Sequence, residues 1–192
     1  METLLHWDRS IFKLINGTWH NSFFDAVLPF LRIAQFWAPL YLFLVVFAIA
    51  NYRRNGGYWI LFFITTVVIS NFISSDLIKG SVQRLRPCND PALADSVREL
   101  VSCGSGYSFT SSHAANHFSL AMFSFLTFKK RFNGWPKLFF LWAFTVSYAQ
   151  MYVGVHYPLD ILGGTIVGLI TGYITGQIFN NKFGLLRPLI AS

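Results

Sequence analysis

The sequence predicts an all-α fold: a polytopic membrane helix bundle of five to six transmembrane helices, with interfacial helices at its N-terminus. Three observations carry this expectation. Of 192 residues, 54% are hydrophobic and only 12% are charged, which is too apolar for an ordinary water-soluble domain. The apolar residues fall in charge-free windows at 33–52, 55–75, 100–128, 138–159 and 161–181, and a spanning helix needs roughly 20 mostly apolar residues. Lysines and arginines gather at one set of window ends.

Residues 1–35 carry Glu2, Asp8, Arg9, Lys13, Asp25 and Arg32 among aromatic side chains. This pattern reads as amphipathic helices lying in the membrane interface, with a short sixth span as the alternative. No basic start leads into an unbroken apolar core, so the segment is not read as a cleavable signal. Spans are expected at about 36–52, 57–78, 112–129, 136–154 and 158–180, with a long connection at 79–111. Residues 36–192 therefore form the bundle and 1–35 an interfacial appendage of the same single domain. In the last span Gly164, Gly168, Gly172 and Gly176 recur every four residues, in line with Asp160. Such a smooth ridge admits a second helix at close range. Packing inside the bundle is expected, with a monomer or a weak homodimer as the assembly.

Arg53 and Arg54, then Lys129, Lys130, Arg131 and Lys137, then Lys182 and Arg187 mark one side of the membrane, with no acidic residue among them. Cytoplasmic loops are enriched in Lys and Arg, so this side is assigned to the cytoplasm. All eight acidic residues fall on the other side. The net charge of +7 thus records topology, and nucleic acid is not expected as a partner.

Three clusters of reactive side chains lie on the non-cytoplasmic side. In "KGSVQRLRP", Lys79 and Arg86 are seven apart; in a continuing helix they share a face within about 20 degrees, while Arg84 points away. A guanidinium and an ammonium on one face can grip a phosphate; snorkelling to lipid headgroups is the bland alternative. Pro87 is expected to end this helix. In "FTSSHAANHF", Thr110, Ser111 and Ser112 suit a helix start, where free amides favour an anion, and His113 follows at once. A plain N-cap with a polar first turn explains the same residues. His113 and His117 have metal-ligand spacing, but neither a Glu after His113 nor an adjacent Cys supports a metal, so His117 is expected to be packed or hydrogen-bonded. In "MYVGVHYPLD", Pro158 suits the first turn of the last helix, with His156 just before it and Asp160 just inside. Such an Asp can fix the tautomer of the imidazole and leave its other nitrogen nucleophilic; a turn-stabilising hydrogen bond is the simpler role.

Together these clusters resemble the type 2 phosphatidic acid phosphatase family of membrane lipid phosphatases, relatives of the vanadium haloperoxidases and the glucose-6-phosphatases. The family pattern is Lys, six residues, Arg-Pro; then Pro-Ser-Gly-His; then Ser-Arg, five residues, His, three residues, Asp. This chain has Lys79 with Arg86-Pro87, Thr110-Ser111-Ser112-His113, and Ala149-Gln150 with His156 and Asp160. Ser112 stands for a glycine, and Ala149-Gln150 for Ser-Arg.

The resemblance implies that His156 attacks phosphorus, Asp160 orients it and His113 protonates the leaving oxygen. Lys79, Arg86, Ser111 and the backbone at Ser112 would hold the phosphoryl oxygens, without metal or cofactor. Gln150, at the position of a phosphate-binding arginine, can donate hydrogen bonds but brings no charge. If it marks a missing charge, Gln150→Arg should raise the rate; if the pocket is rebuilt around the amide, it should lower it. Arg32 or Arg98 could reach in to supply the charge, whereas Arg84 on a regular helix could not.

The expected substrate is a membrane lipid phosphate met at the outer interface of a bacterial inner membrane. Undecaprenyl diphosphate leads, followed by phosphatidylglycerophosphate, phosphatidic acid and lipid A 1-phosphate. The rivals are a lipid phosphotransferase of the same fold and a lipid-binding or transport protein with a decayed site. Cys88 and Cys103 bracket the connection on the non-cytoplasmic side, where disulfides form, and are expected to be bridged over the segment that carries Asp90, Asp95 and Glu99.

Overall fold

The computed structural model describes residues 2–186, so Arg187 lies outside the described residues. Within them all regular secondary structure is helical, without a strand, and the longest non-helical stretch runs over 94–111. Helix α1 (Glu2–Lys13) runs through a π-wound turn, Leu14–Thr18, into α2 (Ser22–Leu31), which Asn21 caps by accepting the Phe24 N–H. Next comes α3 (Ala38–Asn71), two helices joined at Arg53, where the backbone leaves the helical region with φ 47° and ψ −120°. A Cβ on Gly56 would lie 2.0 Å from the Ala48 carbonyl oxygen, so only glycine permits this crossing. The break falls between the two expected spans.

Beyond Asn71 the chain is π-wound over Phe72–Ile78 and then makes a single turn, α4 (Lys79–Val82). Here the sequence-based expectation is corrected. The helix does not continue to Pro87; it stops where Gln83 adopts the left-handed conformation (φ 52°, ψ 33°). Lys79 and Arg86 therefore do not share a helix face. Lys79 sits on the last turn and Arg86 on extended chain (φ −72°, ψ 154°), the conformation that a following proline imposes. Arg84 also leaves the helix and turns inward instead of away.

Helices α5 (Ser112–Phe128), α6 (Leu138–Tyr152) and α7 (Pro158–Lys182) complete the fold. Helix α5 is central, packing on α3, α6 and α7, while α1 leans on α7 and α2 on α6. The glycine ridge explains the closeness of α5 and α7. A Cβ on Gly164, Gly168 or Gly172 would lie 2.2 to 2.4 Å from the carbonyl oxygens of Ser111, Ala115 and Ser119, so the ridge faces inward, as expected.

An aromatic core of Trp59, Phe123, Phe128 and Phe179 fills the end near the Arg53 break, and Trp59 donates to Thr127 at 2.9 Å. At the opposite end, Phe12 packs on Leu93 and Tyr157, and Ile15 on Leu28, Ala149 and Tyr152. The outer surface is apolar: Leu42, Phe43, Leu61, Val68, Leu141, Phe144, Leu162 and Ile170 are each more than half exposed. Residues 34–93 and Pro158–Lys182 both include helix long and apolar enough to cross a bilayer.

Candidate active site

The three clusters converge where α3 runs out, α5 begins and α6 hands over to α7. Pro158 is the first residue of α7, and Asp160 in the first turn accepts the N–H of Tyr157 at 2.8 Å. Ser111 caps α5, accepting the Ala114 N–H at 3.4 Å, and donates its own N–H to the Asp160 carbonyl at 2.9 Å. The backbone thus fixes the second cluster to the third.

His156 and Asp160 are both buried, with side chains 2% and 0% exposed, and His156 Nδ1 lies 3.5 Å from Asp160 Oδ2. This is a loose contact, and Nδ1 has no closer partner; catalytic contacts often tighten only when substrate is bound. Burial holds the His156 imidazole below its ordinary value, with Asp160 opposing the shift, so it is neutral at pH 7. Lys79 and Arg86 both act electrostatically on His156 and on Asp160. His113, half-buried, interacts in the same way with His156, Lys79 and Arg32.

The connection between the first two clusters is shaped around Arg86. Its Nε donates to the Gly106 carbonyl at 2.9 Å, and Gly104 lies against the guanidinium. Cys88 and Cys103 are disulfide-bonded, as expected, so a covalent bridge closes the loop that cradles this arginine. Ser112 turns its hydroxyl toward the π-wound segment, 2.7 Å from Ser75 Oγ. His117 is packed, as expected: its ring meets Trp142 at 4.8 Å and its Nδ1 lies 2.8 Å from the His113 carbonyl.

Two participants were missed in the sequence. Arg84 donates from Nη1 to Asp160 Oδ1 at 2.8 Å and from Nη2 to Asp8 Oδ2, and its guanidinium lies 3.9 Å above the Tyr157 ring. Asp8, 2% exposed, also accepts the Leu159 N–H at 2.8 Å. Burial raises the Asp8 carboxyl above its usual range, although Arg84 and the Leu159 amide pull it down. A signal for Asp8 did exist, since it shares a helix face with Leu5, Phe12 and Ile15, an apolar stripe. For Arg84 the signal was Pro87, which makes Arg86 extended but does not say where the helix stops.

Gln150 is fully buried; its Oε1 accepts from Arg32 Nε at 3.3 Å and its Nε2 is without a partner. Arg98 stays outside, paired with Asp25 at 2.8 Å.

The sequence profile described as the PAP2 superfamily matches residues 57–183, a range that holds all three clusters. The chain belongs to the PAP2 superfamily. It is an integral membrane phosphatase. A lipid A 4'-phosphatase of Bacteroides thetaiotaomicron is 32% identical over 172 residues, 88% of this chain and 75% of that protein. The undecaprenyl-diphosphatase BcrC of Bacillus subtilis is 28% identical over 183 residues, 94% of this chain and 86% of that protein. Among solved structures, a PAP2-type phosphatidylglycerolphosphate phosphatase from Bacillus subtilis superposes with a TM-score of 0.69 at 21% identity, covering 97% of this chain and 90% of that one. At that identity the likeness supports the fold alone.

Proposed function

We propose that the protein removes phosphate from the headgroup of a membrane lipid through a phosphohistidine intermediate on His156. The observation that carries this is the chain of contacts from Arg84 to buried Asp160 to buried His156, with His113, Lys79 and Arg86 close enough to act electrostatically on His156. The N–H of His156 Nδ1 faces Asp160, leaving Nε2 unprotonated to attack phosphorus. As the N–P bond forms, the P–O bond to the lipid breaks and His113 gives the leaving oxygen its proton. Water then attacks the phosphohistidine, His113 takes a proton from it, and phosphate departs as His156 is restored. Lys79, Arg86, the Ser111 hydroxyl and the free amides at the start of α5 stabilise the charge on the phosphoryl oxygens, so no metal is required.

The site is assigned to the outer face of a bacterial inner membrane, because the basic residues at the Arg53 end mark the cytoplasm. The two halves of α3, together with α5, α6 and α7, make five spans. Helix α2, with ten residues, reaches only about half of a bilayer core and, with α1, lies in the interface as the appendage 1–35. The bundle proper is 36–192, of which 187–192 lie outside the described residues.

Undecaprenyl diphosphate is the favoured substrate, supported by a relative of that activity that the chain matches over most of its length. Lipid A carrying a 4'-phosphate is the second reading, supported by the relative at 32% identity. Phosphate release by the purified protein from undecaprenyl diphosphate, lipid A, phosphatidylglycerophosphate and phosphatidic acid, with EDTA present and no lipid acceptor, tests this. Release from at least one lipid by wild type and none by a folded His156→Ala variant is expected. Turnover by His156→Ala would overturn the mechanism, and release only after an acceptor lipid is added would make the protein a phosphotransferase.

A further inference from the structure

The third cluster lacks its arginine, yet a guanidinium stands beside the vacant position. Arg32 closes the C-terminus of α2, with its N–H bonded to the Leu28 carbonyl. The turn that carries it is anchored by Trp37, whose indole N–H donates to the Leu31 carbonyl at 2.7 Å. From there the side chain reaches across to Gln150, 118 residues away in sequence, and donates from Nε to Oε1 at 3.3 Å. Among the described residues no carboxylate forms an ion pair with it. Its charge acts on both Arg86 and His113. Arg32, Lys79 and Arg86 thus gather their charges around His113 and His156, an arrangement that repels itself until an anion enters. The buried, unpartnered amide nitrogen of Gln150 is a further donor awaiting an acceptor in the same place.

We propose that Arg32, delivered by the N-terminal segment, supplies the phosphate-gripping guanidinium that the third cluster lacks, and that Gln150 is the residue that positions it. This rests on the phosphatase reading above. Gln150 takes up Nε and leaves the two terminal nitrogens of the fork for phosphoryl oxygens, the bidentate geometry in which arginine outperforms lysine. An arginine at 150 in addition to Arg32 would place two cations in contact, so the glutamine is matched to the relocated arginine.

The test compares Arg32→Gln, Arg32→Lys, Gln150→Arg and the exchange variant Arg32→Gln/Gln150→Arg. The readouts are kcat and KM on the preferred lipid and inhibition by orthovanadate, a phosphate analogue; thermal unfolding in detergent confirms that each variant is folded. Removing one preorganised donor typically costs about 10²- to 10³-fold in kcat, and Arg32→Gln is expected to lose this much and to weaken orthovanadate inhibition at least tenfold. Arg32→Lys should recover only part. Gln150→Arg alone should fall below wild type, and the exchange variant should exceed both single variants. Wild-type kinetics and orthovanadate inhibition in Arg32→Gln, while His156→Ala is inactive, would overturn the role of Arg32 and leave the phosphatase reading standing. A loss of rate with unchanged orthovanadate inhibition and no recovery on exchange would make Arg32 merely structural and overturn it equally. Failure of wild type to release phosphate from any lipid would instead bring down the phosphatase reading, and this inference with it.

Discussion

Replacing Arg84 by methionine removes the group that joins Asp8 to Asp160. Both carboxylates are fully buried as side chains and Arg84 is only 19% exposed, so solvent cannot screen what is lost. Breaking a buried ion pair by deleting one partner costs about 3 to 5 kcal/mol, because a charge is left behind without compensation. Here two carboxylates are left. For a chain of this size 1 kcal/mol corresponds to about 2 to 4 °C in Tm, so a fall of about 6 to 20 °C is expected in detergent. Activity should fall separately. Asp160 would retain the Tyr157 amide but lose its lateral restraint, and misplacement of a catalytic group by about 1 Å can cost 10²-fold. Asp8→Asn keeps an acceptor for the Leu159 N–H and loses only the charge-assisted bond to Arg84, so a smaller loss of about 1.5 to 3 kcal/mol is expected. The double variant should lose less than the sum of the singles, since the two residues share one interaction. The assay is thermal unfolding followed by tryptophan fluorescence, alongside kcat on the preferred lipid. An Arg84→Met protein with wild-type Tm and kcat would refute the view that Arg84 holds the catalytic carboxylate in place.

Burial holds His156 below its ordinary value; on the proposed mechanism, in which it attacks as the neutral imidazole, the acid limb of kcat/KM against pH should lie below about pH 6.5, and a limb above that value would contradict the burial argument. Reducing the Cys88–Cys103 bridge, or replacing both cysteines by alanine, should cost about 3 kcal/mol and raise KM as the cradle around Arg86 loosens; an unchanged Tm and KM on reduction would count against this. Gly168→Ala forces a Cβ to within 2.4 Å of the Ala115 carbonyl and should cost about 1 to 3 kcal/mol. By contrast Gly57→Ala, with nothing within 4 Å, should be neutral or stabilising by about 0.5 to 1 kcal/mol; equal Tm values for the two variants would refute the close-packing account of the ridge.

What the sequence made legible was what periodicity and spacing control. Charge-free windows located the helices, the spacing of Lys79, Arg86, His113, His156 and Asp160 located the clusters, and the four-residue glycine repeat pointed to a close helix contact that proved to be with α5. The position of Cys88 and Cys103 on one side of the membrane was enough to expect their bridge. Legibility ended where the chain leaves regular geometry. The π-wound segment before Lys79 and the left-handed Gln83 have no periodic signature, so a regular helix was projected through Arg84 and aimed it the wrong way. Asp8 escaped assignment, and Arg32 could be named only as an alternative to Arg98, for a different reason: what the two do depends on the docking of an amphipathic segment onto residues more than a hundred positions later. A pattern can report that α1 has an apolar face; it cannot report what that face meets.

That docking also sets the order in which the enzyme can come into being. Asp8 belongs to α1, yet the Leu159 N–H that it accepts is 151 residues downstream, and Asn16 bonds the carbonyl of Tyr152, 136 residues away. Such distant closures come late in folding, since the chain between must be ordered first. The N-terminal helix can therefore dock only after α7 has begun to form, and a nascent chain that stops at the end of α6 still lacks both His156 and Asp160. Once docked, α1 is held to the start of α7 through the Asp8 side chain, which meets both the Leu159 amide and Arg84, so loosening this one short helix is a local event, far less costly than unfolding the bundle, that bears directly on the partner of Asp160.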